Sequence, residues 1–340
     1  MKMLRTAAVA AALIGTVALG SPTQAAAMEH TSVSLPATTV TFLPVYVAKD
    51  MGMWKKLGLD VTVHNITGMG TTNAMLAGSV DFAVQSGASL IRGNIRGRHM
   101  EGIALMAEGV DFAIVGSPSL LKGLPANASV KERIARLKGK KVSVDSPNTV
   151  VDIVLRYFAA KDNLNAKTDM TEVYMQPTEA IAALKSGAIQ AAVLNYPWIE
   201  TALRLGNVMV ASGATDVPEL LPTVATTTTT RKGFCESHQS ICEKLAQGYV
   251  EAHKFIHEHP QQALAVAMKR MPGANKTDLE NSLKELVKTT PLVPKYREAN
   301  FLHVQQFMIF GGILKKNEAL KNFDNMFTNK YVDMAVKASS

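Results

Sequence analysis

A nine-residue unit occurs twice in this chain. Leu76-Ala77-Gly78-Ser79-Val80-Asp81-Phe82-Ala83-Val84 is repeated in outline by Lys185-Ser186-Gly187-Ala188-Ile189-Gln190-Ala191-Ala192-Val193, with Gly187 lying 109 positions after Gly78. In each copy an apolar helix stops at a glycine suited to the left-handed C-terminal position, and a short apolar strand follows. The repetition predicts two similar α/β lobes. Each repeat strand runs into a polar loop, Gln85-Ser86-Gly87 in one copy and Asn195-Tyr196-Pro197-Trp198 in the other. Open α/β sheets bind small ligands outside the carboxyl ends of their strands. Two lobes presenting such loops to each other form a cleft that can close.

The first residues carry Lys2 and Arg5, an apolar stretch over 7–19 and a small-residue exit at Ala25-Ala26-Ala27. This predicts a cleaved secretory signal over residues 1–27, because the stretch falls short of the ~20 residues a spanning helix needs. No cysteine follows it where a lipid anchor would attach, so a soluble exported chain of 313 residues is expected, enough for two lobes. Cys235 and Cys242 are its two cysteines, and an oxidising compartment favours a disulfide between them. On one continuous helix they would stand about 10 Å apart, too far to bridge, so Cys235 is placed in a turn before a helix starting near Ser237. Two separate buried thiols are the alternative. The formal charge is +8, or +6 without Lys2 and Arg5, and the basic residues are spread along the chain. With no arginine-rich arm or finger spacing, nucleic acid is not an expected partner.

Strand and helix signals alternate from 31 onward: strands at 31–35, 59–63, 80–84 and 103–106, with helices over 43–53, before Gly78 and over 89–96, read as α/β with mostly parallel pairing. The apolar run 112–118 reads as a first crossing between lobes and the threonine-rich 224–230 as the return. Between them lie strands at 142–144 and 171–175 and helices over 149–161 and 179–186, with Ser146 as an N-cap and Pro147 at the first helical position. Beyond Ser237 the pattern is helical and is expected to wrap back on the first lobe. The expected division is 28–115 with 226–340 as lobe 1 and 116–225 as lobe 2.

Leu43-Pro44-Val45-Tyr46-Val47-Ala48-Lys49-Asp50-Met51-Gly52-Met53-Trp54, Gly58-Leu59-Asp60-Val61, the first repeat, Leu137-Lys138-Gly139-Lys140-Lys141-Val142, Ala182-Ala183-Leu184-Lys185-Ser186-Gly187 and Asn195-Tyr196-Pro197-Trp198 occur in that order. The ordered set resembles the periplasmic solute-binding proteins of the nitrate, sulfonate and taurine transporters, a group that includes thiamine-pyrimidine binders. That resemblance implies a type II periplasmic-binding-protein fold, with two α/β lobes joined by two crossings and a ligand held by hinge closure. It implies a monomer that needs no cofactor and delivers a small organic solute, anionic and sulfonate- or carboxylate-like or aromatic, to an ABC permease and its ATPase. By position, the family's ligand contacts carry over to Thr38 and Thr39, to Gly70, Thr71 and Thr72, and to Gln85, Ser86 and Gly87. From the other lobe they carry over to Ser146, Asn148 and Thr149, to Gln176 and Thr178, and to Asn195, Tyr196 and Trp198.

The physical case for these positions is separate. Helices starting near Thr71 and Asn148 would turn positive ends to the cleft and favour an anion, while hydroxyls and amides add uncharged donors. Tyr196 and Trp198 offer an apolar wall. Each has a plainer role open to it: Thr71 and Ser146 as caps, Trp198 as core, and Arg92 and Arg96 as solvated surface rather than partners of a carboxylate or sulfonate. Gly68-Met69-Gly70-Thr71-Thr72-Asn73 imitates a dinucleotide loop but has asparagine for the third glycine. His253, His257 and His259 sit near a helix exit and read as a solvated cluster rather than a metal site. A pyrimidine synthase of similar fold is the enzymatic alternative, disfavoured because its cysteine-rich motif is missing. A receptor serving a membrane sensor is the other.

Overall fold

In a computed structural model the described residues are 27–338, so the expected signal segment lies outside them apart from Ala27. The first half runs β1 Glu29–Leu35, α1 Leu43–Asp50, α2 Met53–Lys56, β2 Leu59–Asn65, α3 Gly70–Leu76, β3 Phe82–Gln85, α4 Gly87–Ile95 and β4 Met100–Ala107. The second runs β5 Phe112–Gly116, α5 Val130–Ala135, β6 Lys141–Val144, α6 Val150–Lys161, β7 Thr171–Tyr174, α7 Pro177–Ser186, β8 Ala191–Asn195, α8 Trp198–Arg204 and β9 Val208–Ser212. After β10, Thr226–Arg231, the chain is helical: α9 Phe234–Ser237, α10 Gln239–Glu258, α11 Pro260–Arg270, α12 Lys276–Thr289, α13 Glu298–Phe310 and α14 Lys330–Ala338.

Two five-stranded sheets result, ordered β2-β1-β3-β10-β4 and β7-β6-β8-β5-β9. The repeat marks equivalent places in them. Gly78 and Gly187, with φ of 78° and 75°, close α3 and α7 in the left-handed region, and β3 and β8 follow. Both sheets are mixed, because the two crossing runs are themselves strands. β5 pairs antiparallel with β8 and β9, and β10 pairs antiparallel with β3 and β4. Their apolar or β-branched sequence had suggested extended connections. Buried on both faces, the same sequence is equally suited to an inner strand: Thr227, Thr228, Thr229 and Thr230 are fully buried, with hydroxyls bonded to Ala104, Tyr249, Ala83 and Asp81.

Two glycines let the chain pass closely at the crossings. A Cβ on Gly87 would come 2.4 Å from the Val224 carbonyl oxygen, and one on Gly213 would come 2.6 Å from that of Val110. Only a residue without a side chain fits such an approach.

The last third was expected to wrap back on the first lobe, and its helices contact both halves. α10 does cover the first sheet: Trp54 lies over Gly248, donates to the Leu245 carbonyl at 3.1 Å and meets Tyr249 edge-on at 5.3 Å. α12, however, reaches the second half, where buried Asp278 accepts from Arg204 Nε at 2.8 Å and from the Thr201 hydroxyl at 2.8 Å. α13 touches both halves. Phe301 stacks with Phe327 at 5.0 Å beside Tyr296, while Phe307 and Phe310 lie 4.9 and 5.1 Å from Tyr157 of α6. Its apolar residues occupy several faces rather than one stripe, which is what a helix packed on both sides requires.

Cys235 sits in the single turn α9 and Cys242 in α10, with 5.7 Å between their Cα atoms, and they form the disulfide. The break at His238 places Cys235 off the α10 axis, as the spacing argument required. Of the three histidines expected to be solvated, His259 is exposed and the other two are not. His253 is fully buried and bonds to the Pro291 carbonyl at 2.6 Å, and His257 contacts that of Thr290 at 2.8 Å. Burial holds His253 at about 4, so it is a neutral core group that ties α10 to the end of α12. Among the described residues no cluster of three or more His, Cys, Asp or Glu is placed to hold a metal.

Candidate functional site

All six loops at the carboxyl ends of β1, β2, β3, β6, β7 and β8 meet around one cavity of about 490 Å³. From the first half it is lined by Ala37, Thr39, Thr41 and Phe42 after β1, by Thr67, Gly68, Met69 and Thr72 after β2, and by Gln85, Ser86 and Ser89 at and after β3. The second half supplies Asp145, Ser146 and Thr149, then Met175 and Gln176, then Asn195. Phe112 of β5 and Thr226 of β10 form the floor where the chain crosses.

Half of the expected contact residues are brought together here: Thr39, Thr72, Gln85, Ser86, Ser146, Thr149, Gln176 and Asn195 line the cavity. Thr38, Gly70, Thr71, Gly87, Asn148, Thr178, Tyr196 and Trp198 are not in its lining. Their placements have local reasons. The Thr71 hydroxyl is used by the Ile66 carbonyl at 2.5 Å, and Gly87 serves the crossing. Asn148 takes a left-handed φ of 60° just before α6, and Thr178 lies inside α7, which starts earlier than expected. Trp198 opens α8 and packs against the core. The N-cap of α6 is Thr149 rather than Ser146, because Thr149 is the residue whose side chain receives a helix N–H, that of Asp152.

The first-half wall is polar but uncharged, and much of its polarity is internally committed. The buried Thr72 hydroxyl donates to Gln85 Oε1 at 2.5 Å and Gln85 Nε2 donates to Thr229 at 2.7 Å, which fixes the amide from both ends. Thr39 caps the turn that follows it. Buried Thr41 is different: among the described residues its hydroxyl has no hydrogen-bond partner. Sequence reading missed it, along with Phe42 and Phe112, since nothing local tells that these apolar-neighbourhood residues face the cleft.

The second-half wall holds the one ionisable residue in the lining, Asp145. Its Oδ1 accepts from the Ser146 N–H at 2.6 Å and from the Thr149 hydroxyl. Burial raises its pKa, against the lowering by those two bonds. Neighbouring Asp152 accepts from Arg156 Nε at 2.7 Å and from the Asn148 N–H, so its charge is matched. Arg92 stands behind Met69, with Sδ at 3.9 Å, and is outside the lining; burial lowers its pKa, as do Arg96 and Arg98. Arg96 is exposed.

Two mixed sheets with facing loops, joined by two crossing strands, define the periplasmic-binding-protein fold. Solved structures share it. The periplasmic nitrate-binding protein NrtA from Synechocystis PCC 6803 matches with a TM-score of 0.73 at 18% identity, over 92% of this chain and 89% of that one. The periplasmic aliphatic sulphonate binding protein SsuA from Escherichia coli matches at 0.65 and 17%, over 85% and 87%. The desulfurization enzyme DSZB matches at 0.61 and 13%, over 92% and 100%, so the fold also carries an enzyme. No curated protein matches the chain in sequence. A family model matches residues 26–270, and the chain belongs to the NMT1-like family.

Proposed function

We propose that this protein is the solute-binding component of an ABC importer, exported with its signal removed near Ala27, and that it captures one small organic molecule by closing its two halves. The observation that carries this reading is a cavity of about 490 Å³ walled by strand-end loops of both sheets, a size suited to a small organic ligand. Named relatives of the same fold that bind nitrate and sulphonate support it. The lobes in this proposal keep the expected division with one adjustment. The pairing of β5 in the second sheet supports putting the first boundary in 108–111 instead of at 115. A monomer handing its closed form to a permease and its ATPase completes the reading.

The lining favours binding over chemistry. It contains no histidine, cysteine or lysine to act as nucleophile or base beside Asp145. Of the finer expectation, an anionic or aromatic solute, the aromatic half has support in Phe42, Phe112, Met69 and Met175. The anionic half has no cationic residue in the lining to support it.

Thermal-shift screening of residues 28–340 against a metabolite library, followed by small-angle scattering, tests the function. A hit is expected to raise the melting temperature with concentration and to reduce the radius of gyration. Absence of any hit, or a hit without compaction, would count against capture by closure. Stimulation of the reconstituted transporter's ATPase by the loaded protein separates import from signalling to a sensor.

A further inference from the structure

We infer that the solute is an organic base: an apolar, flat-bodied molecule carrying an ammonium or amidinium group that pairs with Asp145. This rests on the solute-binding reading above and specifies its ligand class. Three observations converge. First, Asp145 is the one charged side chain in the lining of a cavity otherwise walled by hydroxyls, amides and apolar groups. Second, the hydrogen bonds it accepts from neighbouring residues, the Ser146 N–H and the Thr149 hydroxyl, fall on Oδ1, and among the described residues no neighbour donates to Oδ2, which leaves that oxygen for a ligand donor. Third, three helix starts at the cavity, those of α4, α6 and α7, are already served by acceptors of their own, and a fourth, α3, has no side-chain cap but is a helix of only seven residues. Asp152 takes the Asn148 N–H before α6, Glu179 takes the Gln176 N–H at 2.9 Å before α7, and Ser86 takes the Ser89 N–H at 3.2 Å in α4.

An anion placed here would meet a carboxylate with no lining cation to offset it, at the low local dielectric of a closed cleft. A cation would meet a preoriented carboxylate, and its N–H donors would find further acceptors in hydroxyls such as that of Thr41, whose oxygen is buried without a partner. Arg92 is the opposing consideration. It is half-buried, near the cleft, and would be the obvious partner of an anion, but it stands behind Met69, and Asp152 is the acid that favours its charge.

Isothermal titration of the mature protein with benzamidine, benzyl alcohol, benzoate and benzenesulfonate, four probes of like shape and different charge, tests the inference. Benzamidine is expected to bind at least about tenfold more tightly than either anion, and Asp145→Asn to abolish that preference. The wild-type ranking alone is decisive if Asp145→Asn unfolds. Failure of benzamidine to bind, an anion binding as tightly as benzamidine, or benzenesulfonate binding that disappears in Arg92→Gln would each overturn it. These outcomes are distinct from failure of the solute-binding reading: anionic hits from the metabolite library would sink the base and leave the capture function standing, whereas a library without hits would sink the latter.

Discussion

The two halves of the molecule share a strand order and differ in what they bring to the cavity. β1 and β6 are equivalent inner strands, each second in its sheet, yet β1 leads into Pro36-Ala37-Thr38-Thr39 and β6 into Asp145-Ser146-Pro147. One wall is therefore neutral, with its Gln85 amide locked between Thr72 and Thr229, and the other is acidic, with a carboxylate oxygen left open. The shared framework fixes where a ligand sits. The unlike loops give it two different walls, and sharing a fold with nitrate and sulphonate binders does not by itself assign this chain their ligand.

The largest test of the equivalence lies at the crossings. Gly87→Ala and Gly213→Ala would each drive a Cβ into crossing backbone, at 2.4 Å from Val224 and 2.6 Å from Val110. Each is expected to cost about 3 kcal/mol in denaturant unfolding. A large loss at one and none at the other would show that the crossings are held differently.

Charge at the crossings is already unequal. Asp111 lies buried in the first crossing, with Oδ2 unpartnered among the described residues, where the return crossing has Val224 and Ala225. Burial pushes its pKa up to about 7, with Glu285 adding to the rise and Thr289 opposing it. Between its ordinary 3.8 and about 7 the folded state holds a proton the unfolded state has lost, so this residue's contribution to stability falls as pH rises through that window. Asp111→Asn removes the titration. Its melting temperature relative to the wild type should therefore climb by several degrees between pH 4 and pH 8, and a gap constant with pH would refute the assignment.

The smallest expected effect concerns the loop after β8. Trp198 packs on the core outside the cavity, whereas Phe112 lines it. Trp198→Ala should change ligand affinity less than about twofold and Phe112→Ala about tenfold, by titration with whichever solute the library yields. The reverse order would move the site toward Tyr196 and Trp198.

Much of the framework was legible in the sequence because Gly78 and Gly187 punctuate it with the same local chemistry. Which loops face the cleft followed from strand polarity, so Thr39, Gln85, Ser146 and Asn195 were reachable. Asp145 was not singled out because one acid between a strand and a helix looks like any cap, and its meaning comes from the absence of a cation elsewhere in the lining. Thr41 and Phe112 belong to a short helical turn and an inner strand, where facing is set by tertiary packing. The route of α13 was hidden for a similar reason: an apolar helix announces that it is buried, not between what.

That route bears on the proposed closure. α13 lies along the return crossing, with Asn300 donating to the Thr223 carbonyl at 3.4 Å and His303 meeting that of Pro222 at 2.7 Å, while its aromatic rings grip Tyr157 on one side and the Tyr296 group on the other. It works as the spine of a book whose pages are the two sheets. If the two halves part as proposed, Phe307 and Phe310 would have to ride over Tyr157, and the gape would be limited by how far three rings can slide before they lose contact.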